Sequence, residues 1–275
     1  MNWTKENSQA AGLAGGGAGE VVLEARSLVK RFQGVAAIDG VGLRVRSREV
    51  FGVAGLNGAG KSTLLMMLAG VLAPDSGSVL HRGIDIHGGG ARRAALGRSC
   101  ALRVGYVPQE IAAFPNLTAL DNLRFFAAAP GRACAAGGAD AAIKEAAHMA
   151  GLSSVLRVRL SALSGGMKRR LNIAAALAMR PDALIMDEPT AGLDAKNRRD
   201  VVALIRDLAS GGLAVIYTSH QTGELERLSD MIMVIHEGRS VGEGAADELC
   251  ERFGAQSVDD ILCGLGTLSE RQARG

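Results

Sequence analysis

The stretch GLNGAGKST at residues 55–63 has the spacing G-x-x-x-x-G-K-[ST]. Its glycines let the backbone curl so that successive N–H groups point inward at phosphate oxygens, and the helix predicted next adds its N-terminal field. Lys61 can reach the outer phosphates of a nucleotide, and the Ser62 hydroxyl can ligate Mg²⁺. The apolar strand predicted at Val50–Ala54 favours a phosphate loop over an ordinary strand-to-helix turn.

Two adjacent carboxylates, Asp187 and Glu188, follow the apolar run ALIM at residues 183–186. The run predicts a buried strand, and ligands of open α/β sheets bind at the carboxyl ends of such strands. We expect Asp187 to hold Mg²⁺ through its hydration shell and Glu188 to face an attacking water. An ordinary polar strand end is the alternative, and the phosphate-loop motif argues against it.

The stretch LSGGMKRRL at residues 163–171 places two glycines at the start of a predicted helix that Pro181 stops. Three cations at residues 168–170 crowd the first turn, where the helix dipole already presents positive charge. One interpretation is a Ser164 N-cap followed by a loose first turn. The other is that an anion lies close to this end of the helix.

Composition excludes several other classes of protein. The 275 residues carry a formal net charge of +3, which indicates no polyanionic partner. The four cysteines form no CxxC pair and are typical neither of a disulfide scaffold nor of a zinc ribbon: Cys100, Cys134, Cys250 and Cys263. No apolar run reaches the roughly 18–20 residues that span a bilayer, and the N-terminus lacks the apolar core of a signal peptide. We therefore expect that this chain does not itself cross a membrane.

The order of predicted elements indicates one α/β core interrupted by helices. Strands and helices alternate after residue 183, which predicts a parallel sheet covered by helices on both faces. Residues 116–180 are predicted to be helical. Residues 1–19 end in a Gly/Ala tract and are expected to be a disordered tail, whereas residues 251–275 are weakly patterned and expected to be peripheral.

Capping residues predict where two of the inserted helices begin and end. Thr118 and Asp121 have the spacing of a capping box. Asp140 is the expected cap of the next helix, and Gly151 is its expected stop.

With three further motifs in order, the chain from about Glu20 to about Leu249 resembles the nucleotide-binding subunit of an ATP-binding-cassette (ABC) transporter. LSGGM resembles the signature motif of this family, in which Gln usually stands at the place of Met167. Gln109 in VGYVPQ resembles the Q-loop, AGLD at residues 191–194 the D-loop, and His220 in YTSH the switch histidine. Phe32 stands where the family has an aromatic residue that stacks on adenine.

The resemblance implies a fold of the α/β class. It is a P-loop NTPase core with a parallel sheet, an antiparallel N-terminal β subdomain and an α-helical insertion. The domain would span residues 20–250, with the helical subdomain at about 110–180.

The resemblance also implies ATP and Mg²⁺ as ligands, and it assigns roles to residues. Glu188 would be the general base or water-positioning group, and His220 would contact the γ-phosphate. Gln109 would sense the γ-phosphate or Mg²⁺, and Asp194 would link two sites. The nucleotide-binding set would be Phe32, Gly55, Leu56, Asn57, Gly58, Ala59, Gly60, Lys61, Ser62, Thr63, Gln109, Ser164, Gly165, Gly166 and Asp194, and the Mg²⁺ set would be Ser62, Gln109 and Asp187.

The implied partners are a second ATPase subunit and an integral-membrane permease. Two cassettes of this family dimerise head to tail, so Ser164, Gly165 and Gly166 would bind the γ-phosphate held by the partner. The chain would lie at the cytoplasmic face of the cell membrane and contact no nucleic acid. The SGGMKRR form resembles exporter subunits, including those for drugs and polysaccharides, so export is favoured over import.

Two other functions are weighed against transport. A soluble ABC ATPase acting on nucleic acid or ribosomes generally has two cassettes or a long coiled-coil insertion, and this chain has one cassette and a short insertion. A GTP-binding switch would carry the guanine-reading N-K-x-D motif, which this sequence lacks.

Overall fold

The computed structural model describes residues 19–88, 103–128 and 138–273, and side-chain burial up to residue 267. The expected disordered tail, apart from Gly19, and two of the cysteines, Cys100 and Cys134, lie outside the described residues. The strands are β1 (Val21–Phe32), β2 (Val35–Arg46), β3 (Val50–Ala54), β4 (Ser76–His81), β5 (Ile84–Asp85), β6 (Val104–Val107), β7 (Ala183–Met186), β8 (Ala214–Thr218), β9 (Met231–His236) and β10 (Arg239–Gly244). The α-helices are α1 (Lys61–Leu68), α2 (Ala119–Ala127), α3 (Ala139–Met149), α4 (Gly165–Leu177), α5 (Ala195–Ser210), α6 (Thr222–Leu228), α7 (Ala246–Phe253) and α8 (Val258–Ala273).

The central sheet has the strand order β10-β9-β3-β8-β7-β6 and is parallel except for its edge strand β10. Strands β3, β7 and β8 are buried at every position, as expected of parallel strands covered on both faces. Alternate residues of β8 serve different cores: Val215 and Tyr217 pack in one apolar cluster, and Ala214 and Ile216 pack in the other. The predicted parallel sheet with helices on both faces is confirmed.

A second sheet, with the order β2-β1-β4-β5, is antiparallel throughout. Its apolar side chains pack on the same cluster as helix α1, which includes Leu64, Leu65, Met67 and Leu68. The N-terminal sheet therefore supports the helix that begins at Lys61. Together with the inserted helices, this sheet confirms the predicted fold class.

The inserted helices α2, α3 and α4 pack on one another and on the larger apolar cluster. Thr118 caps α2, because its hydroxyl accepts from the Asp121 N–H at 3.1 Å. The prediction for α3 is wrong at its start: Gly138 is the N-cap, and Asp140 lies in the first turn beside Arg124. Gly151 does follow the end of α3, in the left-handed conformation that glycine tolerates.

The start of α8 is a packed part of the fold, so the expectation of a peripheral segment is wrong for residues 258–262. Val258, Ile261 and Leu262 on α8 are buried in the larger apolar cluster. The Val258 N–H also donates to Glu226 Oε1 on α6 at 2.6 Å. The sequence does not reveal this packing, because the helix has few apolar residues. A narrow apolar stripe along one side is enough to pack the helix against the rest of the protein.

None of the described helices is both long and apolar enough to cross a bilayer.

Replacing buried Asn122 on α2 tests how the insertion holds the loop before it. Its side chain accepts from the Phe114 N–H at 2.7 Å and donates to the carbonyls of Phe114 and Thr118. Asn122→Ala should lower the free energy of unfolding in urea by about 2 kcal/mol, because it leaves the Phe114 N–H without its partner and removes one of two donors from the carbonyls of Phe114 and Thr118. Arg124→Gln, at an exposed ion pair on the same helix, should change it by less than about 0.5 kcal/mol. Equal effects of the two changes would contradict this account.

Candidate nucleotide-binding site

The phosphate loop between β3 and α1 is pressed against neighbouring backbone at two glycines. Gly60 has a φ of +104°, and a Cβ placed there would lie 2.4 Å from the Ala37 carbonyl oxygen. A Cβ at Gly55 would lie 2.6 Å from the Ile235 carbonyl oxygen. Strands β2 and β9 therefore fix the curl of the loop, and only glycine fits at either position.

Lys61 folds back over this loop. It is buried, and its Nζ donates to the carbonyl oxygens of Gly55 at 2.8 Å and Leu56 at 3.1 Å. Burial lowers the pKa of the ammonium, and the negative charges of Glu188 and Asp187 act in the opposite direction. The ammonium thus lies inside the curl of the loop, and it interacts electrostatically with the carboxylates of Glu188 and Asp187. Ser62, the next residue, is exposed at the first turn of α1.

The two carboxylates share one hydroxyl from the neighbouring strand. Met186 pairs with Tyr217 in the parallel register of β7 and β8, which puts Thr218 beside the residues that follow β7. The Thr218 hydroxyl donates to Asp187 Oδ1 at 2.8 Å and accepts from the Glu188 N–H at 3.0 Å. All three residues are buried, so this hydroxyl fixes both carboxylate-bearing residues at the strand end.

Glu188 is the point where three distant segments meet. Its φ of +50° is left-handed, which is uncommon for a residue with a side chain. His220 Nε2 lies 2.5 Å from Glu188 Oε1, and Gln109 Nε2 donates to Glu188 Oε2 at 3.1 Å. The sequence-predicted residues Gln109 and His220 are therefore both in direct contact with Glu188.

The start of helix α4 has the predicted cap. The Ser164 hydroxyl accepts from the Met167 N–H at 3.3 Å. Gly165 is exposed, and a Cβ there would have nothing within 4 Å. A Cβ at Gly166 would instead meet Asn197 Oδ1 on α5 at 2.1 Å. The two glycines thus have different roles, one leaving an open helix end and the other allowing α5 to approach.

Asp194 caps α5. Its carboxylate accepts from the N–H groups of Lys196 and Asn197, and from Asn197 Nδ2 at 2.6 Å. These hydrogen bonds, those from Asn197 first, lower the pKa of the Asp194 carboxyl group. Because Asn197 also touches Gly166, the segment resembling the D-loop is tied to the start of α4 in the same chain.

Phe32 is 48% exposed at the end of β1. Lys30 Nζ lies 5.8 Å from its ring centre and is held by Asp75 Oδ1 at 2.8 Å. Among the described residues, the contacts of Phe32, of residues 164–166 and of Asp194 are made away from Glu188, so the structure does not bring these predicted residues to the cluster at Gln109, Glu188 and His220.

Sequence reasoning missed three buried polar residues of the site: Thr218, Arg169 and Asn172. Thr218 could have been found by aligning the ends of the two predicted parallel strands. Arg169 and Asn172 on α4 donate to backbone carbonyls of residues 108–110, which side-chain chemistry alone does not reveal. The cations at 168–170 thus include one that turns away from the helix end.

The fold and the site together define a P-loop nucleotide-binding protein of the α/β class. The family model described as ABC transporter matches residues 38–191. The chain belongs to this family, and it is one of the family's ATPases.

Relatives and solved structures agree with this assignment. The linearmycin resistance ATP-binding protein of Bacillus subtilis is 36% identical over 237 residues, which cover 86% of this chain and 73% of that protein. The Nod factor export ATP-binding protein I of Paraburkholderia xenovorans is 40% identical over 230 residues, which cover 84% of this chain and 73% of that protein. A bacterial ABC transporter cassette solved as a dimer matches with a TM-score of 0.69 and 25% identity, covering 81% of this chain and 98% of that chain.

Removing the shared hydroxyl tests the strand end. Thr218→Val should lower kcat for ATP hydrolysis by about tenfold, because Asp187 and the Glu188 backbone lose their common partner and shift. Thr190→Val is the matched control, since the Thr190 hydroxyl is also buried nearby but donates to Glu224. Steady-state kinetics in which both variants lose the same activity would contradict a specific role for Thr218.

Proposed function

We propose that this chain binds ATP with Mg²⁺ at the carboxyl edge of its parallel sheet and hydrolyses ATP as one half of a two-chain assembly that energises a separate membrane permease. The observation that carries the proposal is the convergence of Gln109 and His220 on the Glu188 carboxylate. The three side chains lie on separate segments of the chain, and the Glu188 charge also acts on Lys61, where it opposes the effect of burial on the pKa of the ammonium.

The phosphate loop would bind the nucleotide through its backbone N–H groups, Lys61 and the hydroxyls of Ser62 and Thr63. Lys61 already lies in the curl, where it would exchange its carbonyl partners for phosphate oxygens. Phe32 would stack on the adenine ring, and its exposed face supports this assignment. The full nucleotide-binding set is the one that the sequence predicts.

Mg²⁺ would be held by Ser62, Asp187 and Gln109. All three offer oxygen atoms, and Mg²⁺ is usually bound by one or two carboxylates together with waters and substrate phosphates. Among the described residues there is no cluster of three His, Cys, Asp or Glu ligands, and a metal bound in this way requires none. When bound, Mg²⁺ would neutralise charge on the phosphates.

Glu188 would orient the attacking water and accept its proton, and His220 would hold the geometry of attack. The contact between His220 Nε2 and Glu188 Oε1 supports a joint role. The Gln109 amide on the other carboxylate oxygen leaves Glu188 little freedom to rotate. Phosphoryl transfer depends mainly on such positioning and on charge stabilisation.

A second ATPase subunit would complete the site. The start of α4 is exposed at Gly165, and the Ser164 hydroxyl can still donate its proton while it accepts from the Met167 N–H, so this helix end suits a γ-phosphate held by the partner chain. Asp194, tied to Gly166 through Asn197, would link the two sites. The dimeric cassette of similar fold supports this arrangement.

The permease would lie at the membrane and the chain at its cytoplasmic face. The exposed rings of Phe114 and Phe125 pack edge to face, with their centres 4.7 Å apart, close in the chain to Gln109. They would offer the permease a docking surface. Export of a drug, polysaccharide or other small molecule is favoured by Met167 and by relatives named for linearmycin resistance and Nod factor export. Direct binding of nucleic acid is not expected at a net charge of +3.

Affinity purification of the chain from detergent-solubilised native membranes tests the transport role. A polytopic membrane protein recovered in stoichiometric amount supports it and begins to identify the substrate. Recovery only with ribosomes or nucleic acid would retain the ATPase chemistry and contradict the transport role.

Glu188→Gln should bind ATP, form a dimer and lose at least about 100-fold in kcat, because the site closes without its general base. Light scattering after size exclusion in ATP and Mg²⁺ measures the dimer, and phosphate release measures turnover. Glu145→Gln, at a partly exposed ion pair with Arg180 in the insertion, should keep wild-type turnover. A monomeric Glu188→Gln chain in saturating ATP would contradict the two-chain site.

Complementation tests whether the site is shared. Ser164→Arg and Lys61→Ala should each be inactive, because the first blocks the partner's site and the second blocks its own. An equal mixture should regain about a quarter of wild-type activity, since half of the dimers are mixed and each holds one whole site. Lys61→Ala mixed with Glu188→Gln should regain none, because both changes lie on the same half of the site. Absence of rescue in the first mixture would mean that chains do not share sites.

A further inference from the structure

Arg169 on α4 is buried and directed at backbone rather than at an acidic partner. It is 6% exposed, and its Nη1 donates to the Gln109 carbonyl oxygen at 2.7 Å and to the Pro108 carbonyl oxygen at 3.2 Å. Burying a guanidinium is costly, and these two hydrogen bonds offset part of that cost, although Nε has no hydrogen-bond partner among the described residues.

Asn172, nearly one turn further along α4, holds the same segment. Its Nδ2 donates to the carbonyl oxygens of Pro108 and Glu110, both at 3.3 Å. Three consecutive carbonyls, at residues 108–110, therefore accept hydrogen bonds from two side chains of one helix. Strand β6 ends at Val107, so α4 replaces the sheet as the partner of the backbone that follows.

The segment held in this way carries the side chain that contacts Glu188. Gln109 Nε2 donates to Glu188 Oε2 at 3.1 Å, while its own carbonyl accepts from Arg169. A shift of α4 would therefore move the Gln109 backbone and change its amide contact with the carboxylate. Arg169 is also electrostatically close to Glu188: burial lowers the pKa of the guanidinium, and the Glu188 charge opposes that effect.

Arginine suits this place better than lysine does. Its planar guanidinium presents several N–H groups in a fixed arrangement, so one group can serve two carbonyls without being deprotonated. A lysine can also donate to two carbonyls, as Lys61 does, but its ammonium is a flexible point charge that loses its proton more readily when buried.

We propose that Arg169 is a positioning residue that sets Gln109 against Glu188, and that it couples the start of α4, which meets the partner's nucleotide, to the chain's own hydrolysis site. The inference rests on the proposed roles of Gln109 and Glu188. It assigns to Arg169 a function in timing hydrolysis, since Gln109 is in place only when α4 is in place.

The test is a double-mutant cycle in the full chain, with kcat and KM measured for ATP over a Mg²⁺ titration. Arg169→Met should lower kcat by about tenfold, with KM for ATP changed by less than about twofold. It should also raise the Mg²⁺ concentration for half-maximal activity, as Gln109→Ala should. Arg169→Met added to Gln109→Ala should have little further effect, because no Gln109 side chain remains to be positioned.

Three variants serve as controls. Lys144→Met removes an exposed cation from α3 of the same insertion and should leave kcat and the Mg²⁺ dependence as in the wild type. Arg169→Lys should recover part of the activity that Arg169→Met loses. If Arg169→Met fails to fold, judged by its urea unfolding curve, Asn172→Ala takes its place in the cycle, because Asn172 holds the same segment.

The outcomes separate this inference from the proposed function. Losses that add fully in the double mutant would overturn the positioning role, and so would a wild-type kcat for Arg169→Met beside an impaired Gln109→Ala. A wild-type kcat for Gln109→Ala itself would overturn the proposed role of Gln109 and this inference with it. Non-additive losses with a shared Mg²⁺ shift support both.

Discussion

Two carboxylates placed side by side at the end of a buried strand are the constraint on which the rest of the site depends. Asp187 and Glu188 follow β7, where buried charge is costly unless other groups compensate it. The compensation comes from two other segments, through Thr218 and His220 at the end of β8 and through Gln109 after β6. Because these donors come from other segments of the fold, the arrangement exists only when the parallel sheet is in register and the loop after β6 is held.

Helix α4 has the second organising role, because two successive turns at its start serve different sites. Its first residues form an open, glycine-bearing N-terminus, and the residues one turn later hold the loop that carries Gln109. Because Gly166 has no side chain, Asn197 can pack against it, and the side-chain amide of Asn197 donates a hydrogen bond to Asp194. One rigid helix thus contacts the segments that would report on the partner's nucleotide and on the chain's own, so a single movement can affect both sites.

The sequence predicts the parts of this molecule that follow from local chemistry. The phosphate loop, the strand before Asp187, the Ser164 and Thr118 caps and the sheet class depend on neighbouring residues and period, and the structure contains them. Asp140 has the residue type of a cap, but Gly138 is the N-cap of α3. Other features depend on which segments meet in space, and the spacing of residues along the chain does not predict that. They are the packing of α8, the hydrogen bonds of the Thr218 hydroxyl and the contact of Arg169 with the Gln109 backbone.

The central claim is that the chain alone holds half of a hydrolysis site. Specific ATPase activity, measured as turnover per chain over a dilution series at saturating ATP and Mg²⁺, tests it most directly. The account predicts that turnover per chain falls as the protein is diluted and the two-chain assembly dissociates. Constant turnover per chain at dilutions where sedimentation shows only monomers would mean that one chain holds a complete site, and would contradict the account.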